Sequence, residues 1–154
     1  MIATLNTEIK LLHPKFKSKI WDLPTYATEG SAALDLLAAI DEPITIYPFK
    51  TEFISTGLSI WIKDPNYVLI MTPRSGKGCK AGIVLGNTVG VIDSDYQGPL
   101  MMCIYNRTAN ELIINPGEYI AQALIIKKYH MNYTIVEEFS NETSRGENGF
   151  GSTK

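Results

Sequence analysis

The chain has 154 residues, with 14 Lys and Arg against 16 Asp and Glu, a formal charge of −2. That is enough chain to bury one core and reads as a single domain. A slightly acidic balance excludes a broad nucleic-acid surface, which needs clustered cations against phosphate, so any anion is bound locally. No apolar run suits a membrane partner, and Met1-Ile2-Ala3-Thr4-Leu5 lacks the basic and apolar regions of a secretory leader, so a cytoplasmic protein is expected. Cys79 and Cys103 form no Cys-x-x-Cys pair and read as reduced thiols; His13 and His130 are isolated, which speaks against zinc.

In chain order the elements are short strands. Glu8 to Leu12 can extend, His13-Pro14 and the Lys15 to Lys19 run read as a loop, and Leu23 to Ser31 is a turn-rich connector. Ala32 to Ala39 has helical propensity but is too short and is stopped by Asp41-Glu42-Pro43, so a strand is expected. Ile44 to Tyr47 alternates, as do Leu58, Ile60 and Ile62 with polar or amphipathic neighbours. Tyr67 to Thr72 follows the turn Asp64-Pro65-Asn66, and Ile83 to Leu85, Leu100 to Tyr105, Leu112 to Ile114, Ile120 to Ile126 and Tyr133 to Val136 complete the set. Helical periodicity is nowhere sustained for three turns. The fold class is therefore all-β, a jelly-roll-like sandwich or barrel with little helix.

Three stretches carry chemistry. Leu85 to Leu100 reads as a hairpin or tight loop whose bend holds Asp93, Asp95 and Tyr96. Asp-x-Asp-x-x-Gly opens like a calcium loop, but Gln97 and Ile104 stand at its fifth and twelfth positions in place of an oxygen ligand and the bidentate Glu, so calcium is rejected. Thr72 to Gly82 is rich in glycine and cations. It fails as a Walker loop at Met71 and Gly78, and fails as a dinucleotide turn because β-forming residues follow. Arg74, the Ser75 hydroxyl and N–H groups near Gly76 remain a candidate anion cradle. The last fifteen residues, 140–154, are polar and glycine-rich with one Arg and one aromatic, parts suited to an arm that closes over a phosphorylated planar ligand.

These segments together resemble the five ordered motifs of the trimeric dUTP diphosphatase family: Ala32-Ala33-Leu34-Asp35-Leu36, Pro73-Arg74-Ser75-Gly76, Gly90-Val91-Ile92-Asp93-Ser94-Asp95-Tyr96-Gln97-Gly98, Pro116-Gly117-Glu118-Tyr119-Ile120-Ala121-Gln122 and Arg145-Gly146-Glu147-Asn148-Gly149-Phe150-Gly151-Ser152-Thr153. The likeness runs from about Leu23 to Thr153, and Leu85-Gly86-Asn87 is similar to the bacterial branch.

The resemblance implies a homotrimer with active sites at subunit interfaces that hydrolyses dUTP to dUMP and diphosphate with Mg²⁺. Residues 1–139 would form the β-barrel and 140–154 a flexible arm closing over the site. Asp93 would be the general base that activates water against the α-phosphorus. Asn87, Ile92 and neighbouring backbone would form the uracil slot, with Tyr96 against the deoxyribose where a 2′-hydroxyl would collide. Arg74, Ser75, Gly76 and Gln122 would hold phosphates. Asp35 would act through water on Mg²⁺ held mainly by phosphate oxygens. Arg145 would reach the terminal phosphate, Phe150 would cover the uracil, and Gly151, Ser152 and Thr153 would add phosphate contacts.

The chain departs from the family pattern at Ala33, Pro99, Tyr119, Asn148 and Lys154, none of which removes a group assigned to chemistry. Pro99 is expected at a strand start or unpaired edge, and Asn148 can take a left-handed conformation. A related fold houses dCTP deaminases, whose motif pattern is not seen in this sequence. A non-catalytic adaptor would leave the five motifs without a purpose.

Overall fold

The computed structural model describes residues 4–149. Along the first half of the chain run β1 (Glu8–Leu11), α1 (Pro14–Lys17), β2 (Leu34–Leu37), β3 (Ile44–Ile46), β4 (Thr51–Ser55) and β5 (Leu58–Trp61). Then come β6 (Tyr67–Pro73), a π-helical turn (Lys77–Ala81), β7 (Ile83–Leu85), β8 (Gly90–Ile92), β9 (Met101–Asn106), β10 (Leu112–Ile114) and β11 (Tyr119–Lys127). Among the described residues every strand pairing is antiparallel. Two pairs, β1-β5 and β10-β3, accompany a three-stranded sheet β4-β9-β7 and a four-stranded sheet β2-β11-β6-β8. This is the all-β architecture expected from the spacing of turns.

Period-two alternation decides which face turns inward. On β9, Met102, Ile104 and Asn106 are fully buried while Met101, Cys103 and Tyr105 face the other way. Leu36 on β2, Leu69 and Met71 on β6, and Ala121 and Ala123 on β11 join Ile46, Ile54, Leu58, Ile83 and Ile114 in one core. Each large aliphatic so buried contributes roughly 1.5–3 kcal/mol before chain entropy is set against it. Buried polar groups knit the sheets together. Asn106 donates to the carbonyls of Ile46 (2.9 Å) and Asn110 (2.7 Å) and accepts from the Thr108 amide, while the Thr56 hydroxyl donates to the Leu100 carbonyl at 2.8 Å. An unpaired group at those depths would cost about 1–3 kcal/mol.

Four local expectations need correction. Strand β4 was not expected: Thr51-Glu52-Phe53-Ile54-Ser55 sends only Ile54 into the core and leaves Phe53 exposed, so its apolar pattern is weak and pairing with β9 specifies it. The Lys15 to Lys19 loop begins inside α1. Pro14 presets its first turn, the His13 ring nitrogen accepts from the Lys15 amide, and Phe16 is buried. Residues 133–136 lie in coil, not in a strand. Tyr133 and Ile135 alternate as a strand should, but they stand in solvent with no ladder neighbour among the described residues, and an unpaired strand has nothing to hold it. Finally, Leu85 to Leu100 is no simple hairpin, because β7 pairs with β9 in one sheet while β8 pairs with β6 in another. The segment turns the corner between two sheets.

Pro99 lies just before β9, where its missing N–H takes nothing from the ladder. In the tail the residue with positive φ is Gly146 (53°), not Asn148.

Candidate active site

The corner between the two sheets frames a cavity of about 280 Å³. Met71 of β6, Gly90, Val91 and Ile92 of β8, Asn87, Asp93, Tyr96, Pro99, Leu100, and Met101 and Cys103 of β9 line it. Two glycines keep it open. A Cβ on Gly90 would lie 3.1 Å from the Met71 side chain, and one on Gly98 would lie 2.4 Å from the Tyr96 hydroxyl oxygen. With that space clear, the Tyr96 ring folds back over Gly98 and its hydroxyl donates to the Pro99 carbonyl at 3.0 Å.

Asp93 ends β8. Its carbonyl accepts from the Tyr96 amide, and the next residue, Ser94, is buried with its carbonyl accepting from the Lys63 amide, so the backbone on the carboxylate's far side is fixed. The Asp93 carboxylate is exposed at the cavity and makes no hydrogen bond or ion pair among the described residues. Asn87 sits in the preceding turn, held by the Thr88 amide on the Leu85 carbonyl and the Val89 amide on the Asn87 carbonyl. The strain of that turn falls on Thr88, whose φ is 61°.

A second cavity, of about 450 Å³, is lined by Asp35, Arg74, Ser75, Gly76, Lys77, Ala81 and Gln122. Register assembles it: Asp35 on β2 stands opposite Gln122 on β11, and Gln122 stands opposite Thr72 on β6, two residues before Arg74. Arg74 Nε lies 2.7 Å from Asp35 Oδ1, the guanidinium also donates to the Tyr119 carbonyl, and it sits 5.8 Å from the Tyr119 ring centroid. Gln122 Nε2 donates to the Pro73 carbonyl at 3.0 Å. Lys77 donates to Glu118, whose other oxygen accepts from the Asn115 amide at 3.0 Å. Burial by itself would raise the Glu118 carboxyl, but the Asn115 N–H and the hydrogen bond and charge of Lys77 prevail and hold it below its ordinary range.

Thus Asp93, Asn87, Ile92 and Tyr96 come together around one cavity, and Asp35, Arg74, Ser75, Gly76 and Gln122 around the other. The two share no lining residue. Met71 and Gly90 are register partners on the core side of the four-stranded sheet, whereas Asp35 and Gln122 are register partners on its other face. Arg145 joins neither cavity: it closes a local turn, Nε donating to the Asn148 carbonyl at 2.9 Å. Phe150, Gly151, Ser152 and Thr153 lie outside the described residues.

Sequence reasoning did not assign Met71, Met101 and Cys103 in the first cavity or Lys77 and Glu118 in the second. The outward parity of Cys103 and Met101 on β9 was a usable signal. Lys77, directly after Arg74-Ser75-Gly76, was another. Among the described residues no three His, Cys, Asp or Glu side chains gather as a metal-holding group.

A family model described as dUTPase matches residues 19–154. A deoxyuridine 5′-triphosphate nucleotidohydrolase of Psychrobacter arcticus is 49% identical over 145 residues, covering 94% of each chain. One from Histophilus somni is 51% identical over 144 residues, again covering 94% of each. Among solved structures, the Staphylococcus bacteriophage 80alpha dUTPase with dUPNHPP superposes with a TM-score of 0.83 at 28% identity, covering 98% of this chain and 99% of that one.

Proposed function

The chain belongs to the dUTPase family, and from that premise we propose that it is a dUTP diphosphatase, releasing dUMP and diphosphate, with Asp93 as its general base. The observation that carries the reading is the division of labour between the cavities. One is a slot lined mainly by apolar side chains together with Asn87 and the Asp93 carboxylate, which has no partner among the described residues; the other is lined by two cations, a carboxylate, a hydroxyl and an amide. A deoxynucleoside fits the first and a polyphosphate the second. The 80alpha dUTPase, similar over nearly the whole chain, holds a deoxyuridine nucleotide analogue.

In the reaction Asp93 takes a proton from a water, the oxygen of that water bonds to the α-phosphorus, and the bond from that phosphorus to the bridging oxygen breaks. Diphosphate departs with the electron pair and the cradle receives its charge. Asn87 and the backbone beside it pair with the uracil edge, and Ile92 packs on the base. Tyr96, pinned by its hydroxyl to Pro99, stands where a ribose 2′-hydroxyl would intrude. Arg74, Ser75, Gly76 and Gln122 bind phosphates. Asp35 is the carboxylate facing the cradle, and a single carboxylate suits Mg²⁺, which keeps waters and prefers phosphate oxygens and would neutralise their charge.

The separate linings also support assembly. The two cavities share no lining residue, so the base slot of one copy serves the phosphate cradle of another, and a homotrimer closes the set. Exposed Val91, Ile126, Tyr129, Met131 and Ile135 supply apolar surface for such contacts. Residues 140–154 act as an arm, bringing Arg145 to the terminal phosphate, Phe150 over the uracil, and Gly151, Ser152 and Thr153 to the phosphates.

The test is diphosphate release from dUTP, dCTP, dTTP and UTP with and without Mg²⁺, with ammonia followed in parallel. Mg²⁺-dependent diphosphate release from dUTP alone is expected. Ammonia from dCTP would assign a deaminase instead, and the absence of either product would leave a binding protein.

A further inference from the structure

The cradle holds two ion pairs, and the roles read from the motifs account for only one. Arg74 and Asp35 belong to the residues read as phosphate and Mg²⁺ ligands. Lys77 and Glu118 do not, yet Lys77 lines the same cavity. Its ammonium has three donors. One meets a Glu118 oxygen, while the other oxygen of that carboxylate is fixed by the Asn115 amide, so Glu118 is anchored to its own turn before it holds the lysine. Both side chains are more than two-thirds shielded from solvent. A second basic group close by, Arg107, is spent on the Gly78 carbonyl and does not line the cradle.

We propose that Lys77 is a further phosphate-binding residue of the cradle, aimed into it by Glu118 and acting on the diphosphate portion of the substrate. The inference rests on the diphosphatase reading and extends it. An ammonium serves as a point charge that rotates to suit phosphate oxygens, whereas the Arg74 guanidinium is pinned in plane by Asp35 and the Tyr119 carbonyl. The two cations therefore do different work: Arg74 fixes direction and Lys77 follows the charge. Glu118 is a positioning residue, and its negative charge opposes the incoming phosphate.

The experiment compares Lys77→Met, Lys77→Arg and Glu118→Gln in the full chain, measuring kcat and KM for dUTP and direct binding of inorganic diphosphate, tripolyphosphate and dUMP. Lys77→Met is expected to weaken diphosphate and tripolyphosphate roughly tenfold or more, the worth of one charge-assisted bond, and to raise KM more than it lowers kcat. The affinity for dUMP stays within about twofold, and Lys77→Arg recovers most of the loss. Glu118→Gln keeps an acceptor for the ammonium and removes the opposing charge, so polyphosphate binds as tightly as before or more tightly.

A purely structural ion pair would instead make Lys77→Met and Glu118→Gln weaken alike, and that result overturns the proposal, as does polyphosphate affinity unchanged in Lys77→Met. Should Lys77→Met fold poorly, the double variant with Glu118→Gln removes the stranded carboxylate and is read in the same way. If the unaltered protein binds polyphosphate but hydrolyses no dUTP, the diphosphatase reading fails while Lys77 is still judged on binding. If it binds no polyphosphate, the Lys77 proposal falls.

Discussion

The two cavities use the same four-stranded sheet in opposite ways. The slot at the β7–β8 corner is shaped by absences, with Gly90 and Gly98 leaving room for the Met71 and Tyr96 side chains and Asp93 without a partner among the described residues. The cradle is shaped by attachments: Asp35 and Arg74, Lys77 and Glu118, Gln122 and the Pro73 carbonyl are already joined. The difference follows from what each must receive. A planar base needs a preformed space with few polar groups. A polyphosphate needs cations that, left unpaired in a partly enclosed site, would pay a desolvation cost, so they wait against carboxylates. In the proposed reaction the chemistry falls to the unattached carboxylate and charge management to the paired ones.

That contrast breaks most decisively at Asp93. Asp93→Asn should lower kcat by ~10²–10⁴-fold while dUTP still binds, because only the proton acceptor is lost; near-normal turnover in steady-state assays would move the base elsewhere. Ending the chain after Asn141 should leave the barrel folded by circular dichroism and reduce hydrolysis by roughly 10²-fold, since the slot and cradle then stay open to water. An unimpaired truncate would mean the cavities suffice without an arm.

Tyr96→Ala sharpens the slot side of the comparison. It should raise the kcat/KM of UTP relative to dUTP by about tenfold, the scale of one lost steric contact, with diphosphate affinity unmoved. A constant ratio would take the sugar gate away from Tyr96. The smallest effect lies on the cradle side. Because the Asn115 N–H, and after it the hydrogen bond and charge of Lys77, hold the Glu118 carboxyl below its ordinary value of 4.5 in the folded protein, the stabilisation these contacts give is complete above that value and is lost as pH falls through the lower folded value. Urea midpoints of the native chain and Glu118→Gln should therefore converge in acid below pH 4.5 and separate above it; a gap that persists at the acid end would show that the carboxylate's charge is not what stabilises.

Much of the fold was legible because alternation is a local property. Leu58 to Trp61, Tyr67 to Pro73, Ile83 to Leu85 and Leu112 to Ile114 form strands where the sequence shows them. β4 escaped because one core contact, Ile54, gives too little periodicity, and Tyr133 to Val136 misled because a strand pattern is not a strand until a neighbour completes its hydrogen bonds. Motif resemblance also picked out residues that the fold gathers around the two cavities. The pairing of Lys77 with Glu118 was not legible, since it spans forty-one positions and no local pattern encodes it.

By itself the sequence determined the all-β class and the family, because those depend on short-range periodicity and ordered motifs. Only the tertiary structure decided that the motif residues gather around two cavities with no lining residue in common. Facing is set by register, and register is fixed when strands distant in the chain bury their apolar sides together; a shift of one residue would carry Asp35 and Gln122 into the core and turn Met71 out to solvent.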